Sequence, residues 1–303
     1  MRIDDDDRPI GRVLSRRDAV RLLAVSGAAV VAGCRPRGQA GAAETSAVAS
    51  STPAAGTTAS SASSTLPRCV AKPELTVGPY FVDTKLNRAD VRIEPSTGAA
   101  KPGEPLALTF NVKQIANGQC TPLPNAMVDI WQCDAMGQYS GVNDRMVGFN
   151  TESQKFLRGY QVTDANGVAR FTTIYPGWYQ GRAVHIHFKI RAPADAAIAD
   201  QTAYEFTSQL FFDDTLSDQV HKGPAYAAKG QRGTGERNQN DGIYRQAGEV
   251  LLLNVALAPD GYHADFDVGL DLSDAATGRP ERSGGAGGPG ARPPGGRQSR
   301  PPA

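Results

Sequence analysis

Apolar and polar residues alternate over several short segments of this chain, the pattern of strands that bury one face. The clearest case is Leu-Ala-Leu-Thr-Phe-Asn-Val at residues 106–112. Further candidate strands are residues 126–132, 159–163, 168–173, 183–190, 208–212, 250–257 and 263–268. No long segment has a convincing 3.6-residue apolar period. Many short strands separated by Gly, Pro and Asn predict an all-β fold, a β-sandwich of mixed or antiparallel strands.

The connections between these strands fall into two classes. Asp-Ala-Asn-Gly at residues 164–167 predicts a tight hairpin turn between strands 159–163 and 168–173. Segments 142–156 and 216–244 are too long for simple turns, and we expect them to be loops that build a functional site.

The N-terminal segment has the features of an export signal. Arg16 and Arg17 precede an apolar run at residues 22–33, which ends in Val-Ala-Gly followed by Cys34. About a dozen apolar residues are too few to span a bilayer, which needs roughly 20. The paired arginines resemble a twin-arginine signal. The last four residues resemble a lipoprotein processing box, although a plain cleaved signal with an incidental cysteine stays open. We therefore expect an exported, periplasmic or cell-surface protein that is lipid-anchored at Cys34.

Composition divides the rest of the chain. Residues 1–34 are the predicted signal, and residues 35–66 form an Ala/Ser/Thr-rich flexible linker. Residues 67–273 are the folded domain, and residues 274–303 form a Gly/Pro/Arg-rich tail that we expect to be disordered. The net charge is +1, with 32 basic and 31 acidic residues, so bulk electrostatics gives no reason to expect a nucleic-acid partner. Membrane contact is expected only through the N-terminal anchor, and the oligomeric state stays open, a homo-oligomer included.

Two of the four histidines lie two residues apart on a predicted strand. Because successive side chains on a strand face opposite ways, His185 and His187 project from the same face. Neutral imidazoles placed in this way can occupy two adjacent positions on a transition metal. Tyr179 and Arg182 lie just before them. His221 and His263 lie outside this motif, and we expect neither to be a ligand.

With Tyr139 and Gln209, these residues resemble the intradiol ring-cleaving catechol dioxygenases, a family of non-haem iron(III) enzymes that includes protocatechuate 3,4-dioxygenase. The resemblance covers most of residues 69–268. Its motifs are Thr-Val-Gly-Pro-Tyr-Phe at 76–81, the segment 131–141, Phe-Leu-Arg-Gly at 156–159, the segment 171–179, His-Ile-His-Phe at 185–188 and Asn-Gln-Asn-Asp-Gly-Ile-Tyr at 238–244.

The resemblance implies four protein ligands to Fe(3+), namely Tyr139, Tyr179, His185 and His187. A hard ferric ion favours the anionic form of a phenol, whose ordinary pKa is about 10. The resemblance also implies that Tyr179 is displaced by substrate and accepts a proton, as a general base.

Three further side chains have roles implied by the resemblance. Arg182 would stabilise the charge that develops on the substrate, and Gln209 would line the same pocket. Tyr80 and Trp178 are candidate pocket residues, with ordinary packing as the open alternative for both.

The implied reaction cleaves a catecholic ring between its two hydroxylated carbons, with both atoms of O2 entering a cis,cis-muconate-type product. A rival hypothesis is a lipid-tethered, non-catalytic β-sandwich binding module with a relic or repurposed metal site. The ring substituent is not predicted; Lys155, Arg158 and Lys189 are candidates to bind a carboxylated substrate, and surface charge is the alternative for all three.

The remaining cysteines are odd in number once Cys34 is set aside. An exported protein permits a disulfide, and we expect Cys120 to pair with Cys133. Cys69 is the competing partner, and buried free thiols are the other alternative.

Overall fold

The structure is a computed structural model that describes residues 71–193 and 204–274. Its strands form two main sheets. The first has five strands in the order β10-β11-β1-β2, with β7 also paired to β1. These strands are β1 (Pro105–Ala116), β2 (Gln119–Pro122), β7 (Val168–Ile174), β10 (Val255–Ala258) and β11 (Gly261–Leu270). Because β1 runs parallel to β11 and antiparallel to β2 and β7, this sheet is mixed.

The second sheet is antiparallel and has the order β6-β3-β8-β9. Its strands are β3 (Met127–Trp131), β6 (Arg158–Val162), β8 (His185–Arg191) and β9 (Glu205–Phe211). The predicted fold class, a β-sandwich of mixed and antiparallel strands, is confirmed.

The core lies between the two sheets. Strand β1 buries Leu106, Leu108, Phe110 and Val112 at alternate positions, as its sequence pattern predicts. The ring of Phe110 lies 5.3 Å from that of Phe188 on β8, and Phe188 lies 5.5 Å from Phe266 on β11. Aromatic rings from the two sheets therefore interlock, and β8 contributes one face to this core.

The other face of β8 is also buried, and this face carries the predicted ligands. His185, His187 and Lys189 alternate with the core residues and are at most 3% exposed. Segment 72–81 runs beside β9, with Leu75 N donating to Thr207 O at 2.8 Å, and its residues Val77, Tyr80 and Phe81 pack over this face against Trp131 and Tyr139. A strand that is buried on both faces and still carries polar side chains needs partners for them, and these partners form the site.

Two sequence predictions, one about a turn and one about a strand, are wrong in detail. Residues 164–167 do form a turn, with Gly167 N donating to Asp164 O, but the flanking strands do not pair as a hairpin. Strand β6 pairs with β3, whereas β7 pairs with β1, so this turn passes between the sheets. The reason is that β7 buries Ala169 and Phe171 beside β1, on the opposite side of the core from β3. Residues 250–257 are only partly a strand, because a 3-10 turn (Gly248–Leu251) precedes β10.

The two long loops contain short elements. Segment 142–156 contains the hairpin of β4 (Asn143–Asp144) and β5 (Phe149–Asn150). Segment 216–244 contains part of α1 (Asp214–Val220), α2 (Pro224–Ala227) and part of α3 (Gly242–Ala247). Among the described residues, no helix is long and apolar enough to cross a membrane. The predicted signal and linker lie outside the described residues, as does nearly all of the predicted tail.

Candidate metal and catalytic site

Four side chains converge on one point beside β8. The Nε2 atom of His185 lies 3.1 Å from Nε2 of His187 and 3.3 Å from the hydroxyl oxygens of both Tyr139 and Tyr179. Three of the four side chains are almost fully buried, while Tyr179 is partly exposed. The structure thus brings together all four predicted ligands.

Ordinary hydrogen bonding cannot account for this cluster. The Nδ1 atom of His185 lies 2.7 Å from the carbonyl oxygen of Ala183, which only accepts, so Nδ1 carries the proton. The Nε2 atom of His185 then has a single lone pair, yet three polar atoms lie within 3.3 Å of it. One lone pair cannot satisfy three neighbours, but it can bind one metal ion that all four groups share.

The separations between donor atoms fit such an ion. Donors about 2.0–2.1 Å from a metal, at angles between 90° and the tetrahedral value, lie roughly 2.9–3.4 Å apart. The three measured separations fall inside this window. Within the described ranges, no group of three or more His, Cys, Asp and Glu side chains is arranged to hold a metal. The donor set found here is instead two imidazoles and two phenols, and phenolate oxygens suit a hard trivalent cation.

Burial keeps the four groups neutral in the absence of a cation. It lowers the pKa of His185 to about 3 and that of His187 well below its usual range. It also raises the pKa of Tyr179 to about 12 and that of Tyr139 well above its usual value. Neutral imidazoles are ready to bind metal, whereas the phenols need the charge of a bound cation to lose their protons.

Close backbone contacts hold the two tyrosine loops together. Gly137, two residues before Tyr139, has φ = +79°, and a Cβ there would lie 2.2 Å from the carbonyl oxygen of Trp178. A Cβ on Gly177 would lie 2.3 Å from the carbonyl oxygen of Asp134. Only glycine fits at both points. These contacts explain why Tyr139 and Tyr179, which are 40 residues apart, approach the same histidine.

Arg182 is held by a buried carboxylate beside the cluster. Its Nε donates to Asp241 Oδ2 at 3.0 Å, its Nη2 donates to Gln209 Oε1 at 2.6 Å, and its Nη1 lies 3.4 Å from the Tyr179 hydroxyl. Burial alone lowers the pKa of Arg182, but Tyr179 and Asp241 outweigh that effect and raise it. The guanidinium therefore stays charged. The Arg182 side chain is 14% exposed and lies next to Tyr179, the partly exposed member of the four predicted ligands.

The two candidate pocket residues differ in their surroundings. Tyr80 stacks on Tyr139 with a ring separation of 4.5 Å and lies edge-on to Tyr179 at 6.0 Å, so it adjoins the cluster. Trp178 packs against the main core, and Lys229 Nζ lies 5.0 Å from the centre of its ring. The packing alternative is thus the better description of Trp178.

Two contributors to the site were not singled out from the sequence: Asp241 orients Arg182, and Trp131 stacks on His187 at 5.0 Å. Arg158, which the sequence offered only as a candidate cation for a carboxylated substrate, lies beside Tyr139. For Asp241 the sequence signal was its place in the 238–244 motif. The histidines outside the motif are not in the cluster, since His221 bonds to Pro176 O and His263 to Asp260.

The three cations proposed for a carboxylated substrate are not equivalent. Lys155 is exposed, as the surface alternative predicts. Lys189 is buried and paired with Glu205 at 3.0 Å. Arg158 is only 1% exposed and donates to Ser140. Surface charge is therefore the wrong description of Arg158 and Lys189.

The predicted disulfide between Cys120 and Cys133 is wrong. Cys133 is a buried free thiol, packed with Trp131 and Tyr139 beside the site. Cys120 is disulfide-bonded, and its partner lies outside the described residues. The two cysteines are close in sequence, but Cys120 lies on β2 of the first sheet, whereas Cys133 follows β3 of the second.

Comparison with known proteins finds dioxygenases similar to this chain. Residues 76–223 match the Dioxygenase_C family model, which is described as a dioxygenase. The chain is 27% identical over 159 residues to hydroxyquinol 1,2-dioxygenase of Corynebacterium glutamicum. This alignment covers 46% of this chain and 48% of that protein. It is 31% identical over 143 residues to the protocatechuate 3,4-dioxygenase beta chain of Burkholderia cepacia, covering 43% of this chain and 57% of that one. The matches thus span about half the length of these curated relatives.

A solved structure matches over a larger share of this chain. An intradiol ring-cleavage dioxygenase from Tetranychus urticae superposes with a TM-score of 0.55 and 28% identity, over 67% of this chain and 96% of that one. The family model, the curated relatives and this structure show that the chain is similar to intradiol dioxygenases, whose β-sandwich fold it shares.

Proposed function

We propose that this protein is a non-haem iron(III) intradiol dioxygenase. It would cleave a catecholic ring between the two hydroxylated carbons, with both atoms of O2 entering a cis,cis-muconate-type product. The observation that carries this proposal is the cluster of two phenols and two imidazoles, spaced for one metal ion and adjoined by Arg182.

Tyr139, Tyr179, His185 and His187 would hold the iron. When bound, ferric iron supplies a hard Lewis-acid centre that favours phenolate and catecholate oxygens. The remaining chemistry belongs to the side chains. Tyr179 is the partly exposed member of the set, which supports its role as the residue that substrate displaces. Its freed phenolate oxygen would take one catechol proton as a general base.

Arg182 would orient the substrate and stabilise its negative charge. It is fixed by Asp241 and Gln209 before substrate arrives, so little reorganisation is needed during the reaction. Burial of the histidines and of Tyr139 limits the access of water from their side of the site. A non-catalytic binding module would have no chemical need for a charged arginine held 3.4 Å from a ligand tyrosine.

The test is a visible spectrum of the purified, iron-loaded chain, followed as catechol is added under air. We expect a red-brown tyrosinate-to-iron band that changes on addition of catechol, and then a rising ultraviolet signal from a muconate. Mass spectrometry with ¹⁸O2 should find both labelled atoms in the product. The matched control is His263→Ala, which removes an exposed histidine outside the cluster and should change none of these signals.

Three results separate the alternatives. A coloured protein that yields no ring-cleaved product with any of several catechols would support the binding-module hypothesis. A coloured protein that oxidises catechol to a different product would keep the iron site and change the reaction. A protein that stays colourless after iron loading would rule out the ligand set.

We also propose that the protein is exported and lipid-anchored at Cys34. The disulfide at Cys120 supports this, because disulfides persist mainly in oxidising compartments outside the cytoplasm. Mass spectrometry of the mature N-terminus should find a lipid-modified cysteine, and Cys34→Ala should abolish the modification. A mature chain that retains residues 1–33 would contradict the proposal.

A further inference from the structure

Arg158 carries a buried charge with no counter-ion in the described part of the chain. It lies at the start of β6 and is 1% exposed. Lys189 and Arg232 are the other buried cations among the described residues, and both have carboxylate partners, as does the part-buried Arg182: Lys189 pairs with Glu205, Arg232 with Asp214 and Asp218, and Arg182 with Asp241. A buried charge is costly unless it is paired. Arg158 therefore lacks a compensating anion that the other three possess.

Neutral groups satisfy only part of its guanidinium. The Nε and Nη2 atoms donate to the carbonyl oxygen of Ser140 at 2.9 and 2.6 Å, and Nε also lies 3.0 Å from the Ser140 hydroxyl. That hydroxyl donates to Phe156 O at 2.6 Å. The Nη1 atom is buried and has no hydrogen-bond partner among the described residues. One side of the guanidinium is thus fixed and the other is unsatisfied.

The nearest candidate for the missing charge is Tyr139. The guanidinium carbon of Arg158 lies 5.9 Å from the centre of the Tyr139 ring, and Ser140, which Arg158 clamps, is the next residue in the chain. On the neighbouring strand, Arg158 is registered opposite Trp131, which stacks on His187. Arg158 therefore contacts the immediate supports of two predicted ligands while touching none of the four donor atoms.

We propose that Arg158 is a positioning residue that fixes the Tyr139 loop and supplies the counter-charge of the Tyr139 phenolate in the iron-loaded protein. This inference rests on the proposed function, since the phenolate exists only with the metal bound. Each of the two ligand tyrosines would then have an arginine beside it, and the two arginines differ in how far their charge is already neutralised. Arg182 shares its charge with Asp241, whereas Arg158 directs an uncompensated charge at Tyr139, which favours Tyr139 as the ligand that stays bound.

Two variants separate the effect of the Arg158 charge from the effect of its hydrogen bonds to Ser140. Arg158→Gln keeps a donor for the Ser140 carbonyl but removes the charge, and Arg158→Lys keeps the charge but loses the planar fork. A positive charge near the phenolate lowers the energy of its donor orbital. The Gln variant should therefore move the tyrosinate-to-iron band to longer wavelength and weaken iron retention by roughly 10- to 100-fold. The Lys variant should keep the band near its wild-type position.

The band is measured on the full chain and again in the Tyr179→Phe background, where Tyr139 is the remaining predicted phenolate. The matched control is Arg232→Gln, because the Arg232 side chain is also 1% exposed but is paired with two carboxylates. It should leave the band unmoved even if it lowers the melting temperature.

Each outcome decides the question. A band and iron retention unchanged in Arg158→Gln would overturn the inference and leave the proposed function standing. Equal shifts in the Gln and Lys variants would reject the counter-charge, because lysine retains it. If Arg158→Gln does not fold, a wild-type band in Arg158→Lys supports the counter-charge and a shifted band rejects it. If iron-loaded wild-type protein has no tyrosinate band, both the inference and the proposed function fail together.

Discussion

Asp241 Oδ2 accepts two hydrogen bonds, from Arg182 Nε at 3.0 Å and from the backbone N–H of Ala183 at 2.8 Å. Its other oxygen accepts from Ile243 N and Tyr244 N and thereby caps α3. One buried carboxylate therefore ties the predicted catalytic arginine to the start of a helix. Burial alone raises the pKa of Asp241, but Arg182 and the Ala183 N–H lower it by more, so the group stays ionised.

Asp241→Asn should impair both activity and stability. The amide can still cap the helix, but it cannot neutralise Arg182, whose orientation toward Tyr179 would loosen. We expect kcat to fall roughly tenfold or more, and the free energy of unfolding to fall by about 3 kcal/mol, as for the loss of one partner from a buried ion pair. Steady-state kinetics and thermal melting measure the two effects. Asp213→Asn is the matched control, because Asp213 caps α1 and is not one of the hydrogen-bond partners of Arg182. Equal loss of kcat in both variants would argue against a specific role for Asp241.

Tyr139→Phe should remove most of the tyrosinate-to-iron colour that remains when catechol is bound, because Tyr179 is expected to be displaced at that point. Visible absorption of the anaerobic catechol complex is the measurement. Tyr80→Phe is the matched control, since Tyr80 stacks on Tyr139 but its hydroxyl donates to Asp144 instead. Colour that is unchanged in Tyr139→Phe would remove Tyr139 from the ligand set.

Arg182→Lys should leave iron bound and slow turnover by roughly 100-fold or more, as for the loss of a fixed donor to developing charge. A lysine ammonium is a point charge and cannot contact Asp241, Gln209 and Tyr179 in the plane that the guanidinium defines. The comparison needs iron content and kcat from the same samples. Arg191→Lys, on β8 but paired with Asp129 and Glu205, should have normal turnover. Wild-type kcat in Arg182→Lys would exclude Arg182 from the reaction.

Cys120→Ser should lower the free energy of unfolding by roughly 2–4 kcal/mol, the usual contribution of a native disulfide. A reductant should lower the melting temperature of the wild-type protein by a similar amount and leave that of the variant unchanged. Cys133→Ala should respond to reductant as the wild type does, because Cys133 is a free thiol. If reductant has no effect on the wild-type melting temperature, the disulfide does not contribute to stability.

Asp129 should give the protein an unusual dependence of stability on pH. Burial raises the pKa of this carboxyl to about 6, and Arg191 offsets only part of the effect. The folded pKa then exceeds the unfolded value of 3.8, so the folded state binds the proton more tightly. The stability from this group is fully present below pH 4 and is lost as the pH rises through 6. The loss amounts to about 3 kcal/mol.

Asp129→Asn should therefore flatten the stability profile between pH 4 and pH 7. Chemical denaturation at several pH values in this range gives the free energies directly. A wild-type profile that rises across this interval, with the variant parallel to it, would show that Arg191 keeps the carboxylate ionised in the folded state.

Much of the fold followed from periodicity. Strand β1 alternates buried and partly buried residues as its sequence predicts, and all seven other segments proposed as strands overlap a strand in the structure. The turn at residues 164–167 was located correctly, but the sequence could not say which strands it joins. That choice depends on which side of the sandwich buries Ala169 and Phe171, and this is a property of the assembled core.

By itself the sequence determined that His185 and His187 share one face of a strand, because a period of two is a local property of the backbone. Through its motifs it also indicated Tyr139, Tyr179, Arg182 and Gln209. Only the tertiary structure decided that Asp241 anchors Arg182, that Arg158 is buried without a carboxylate partner among the described residues, and that Cys120 lies on the first sheet whereas Cys133 follows a strand of the second. Each of these depends on contacts between segments far apart in the chain or on how the two sheets stack. Burial and charge pairing are set by such packing, and spacing along the sequence does not encode them.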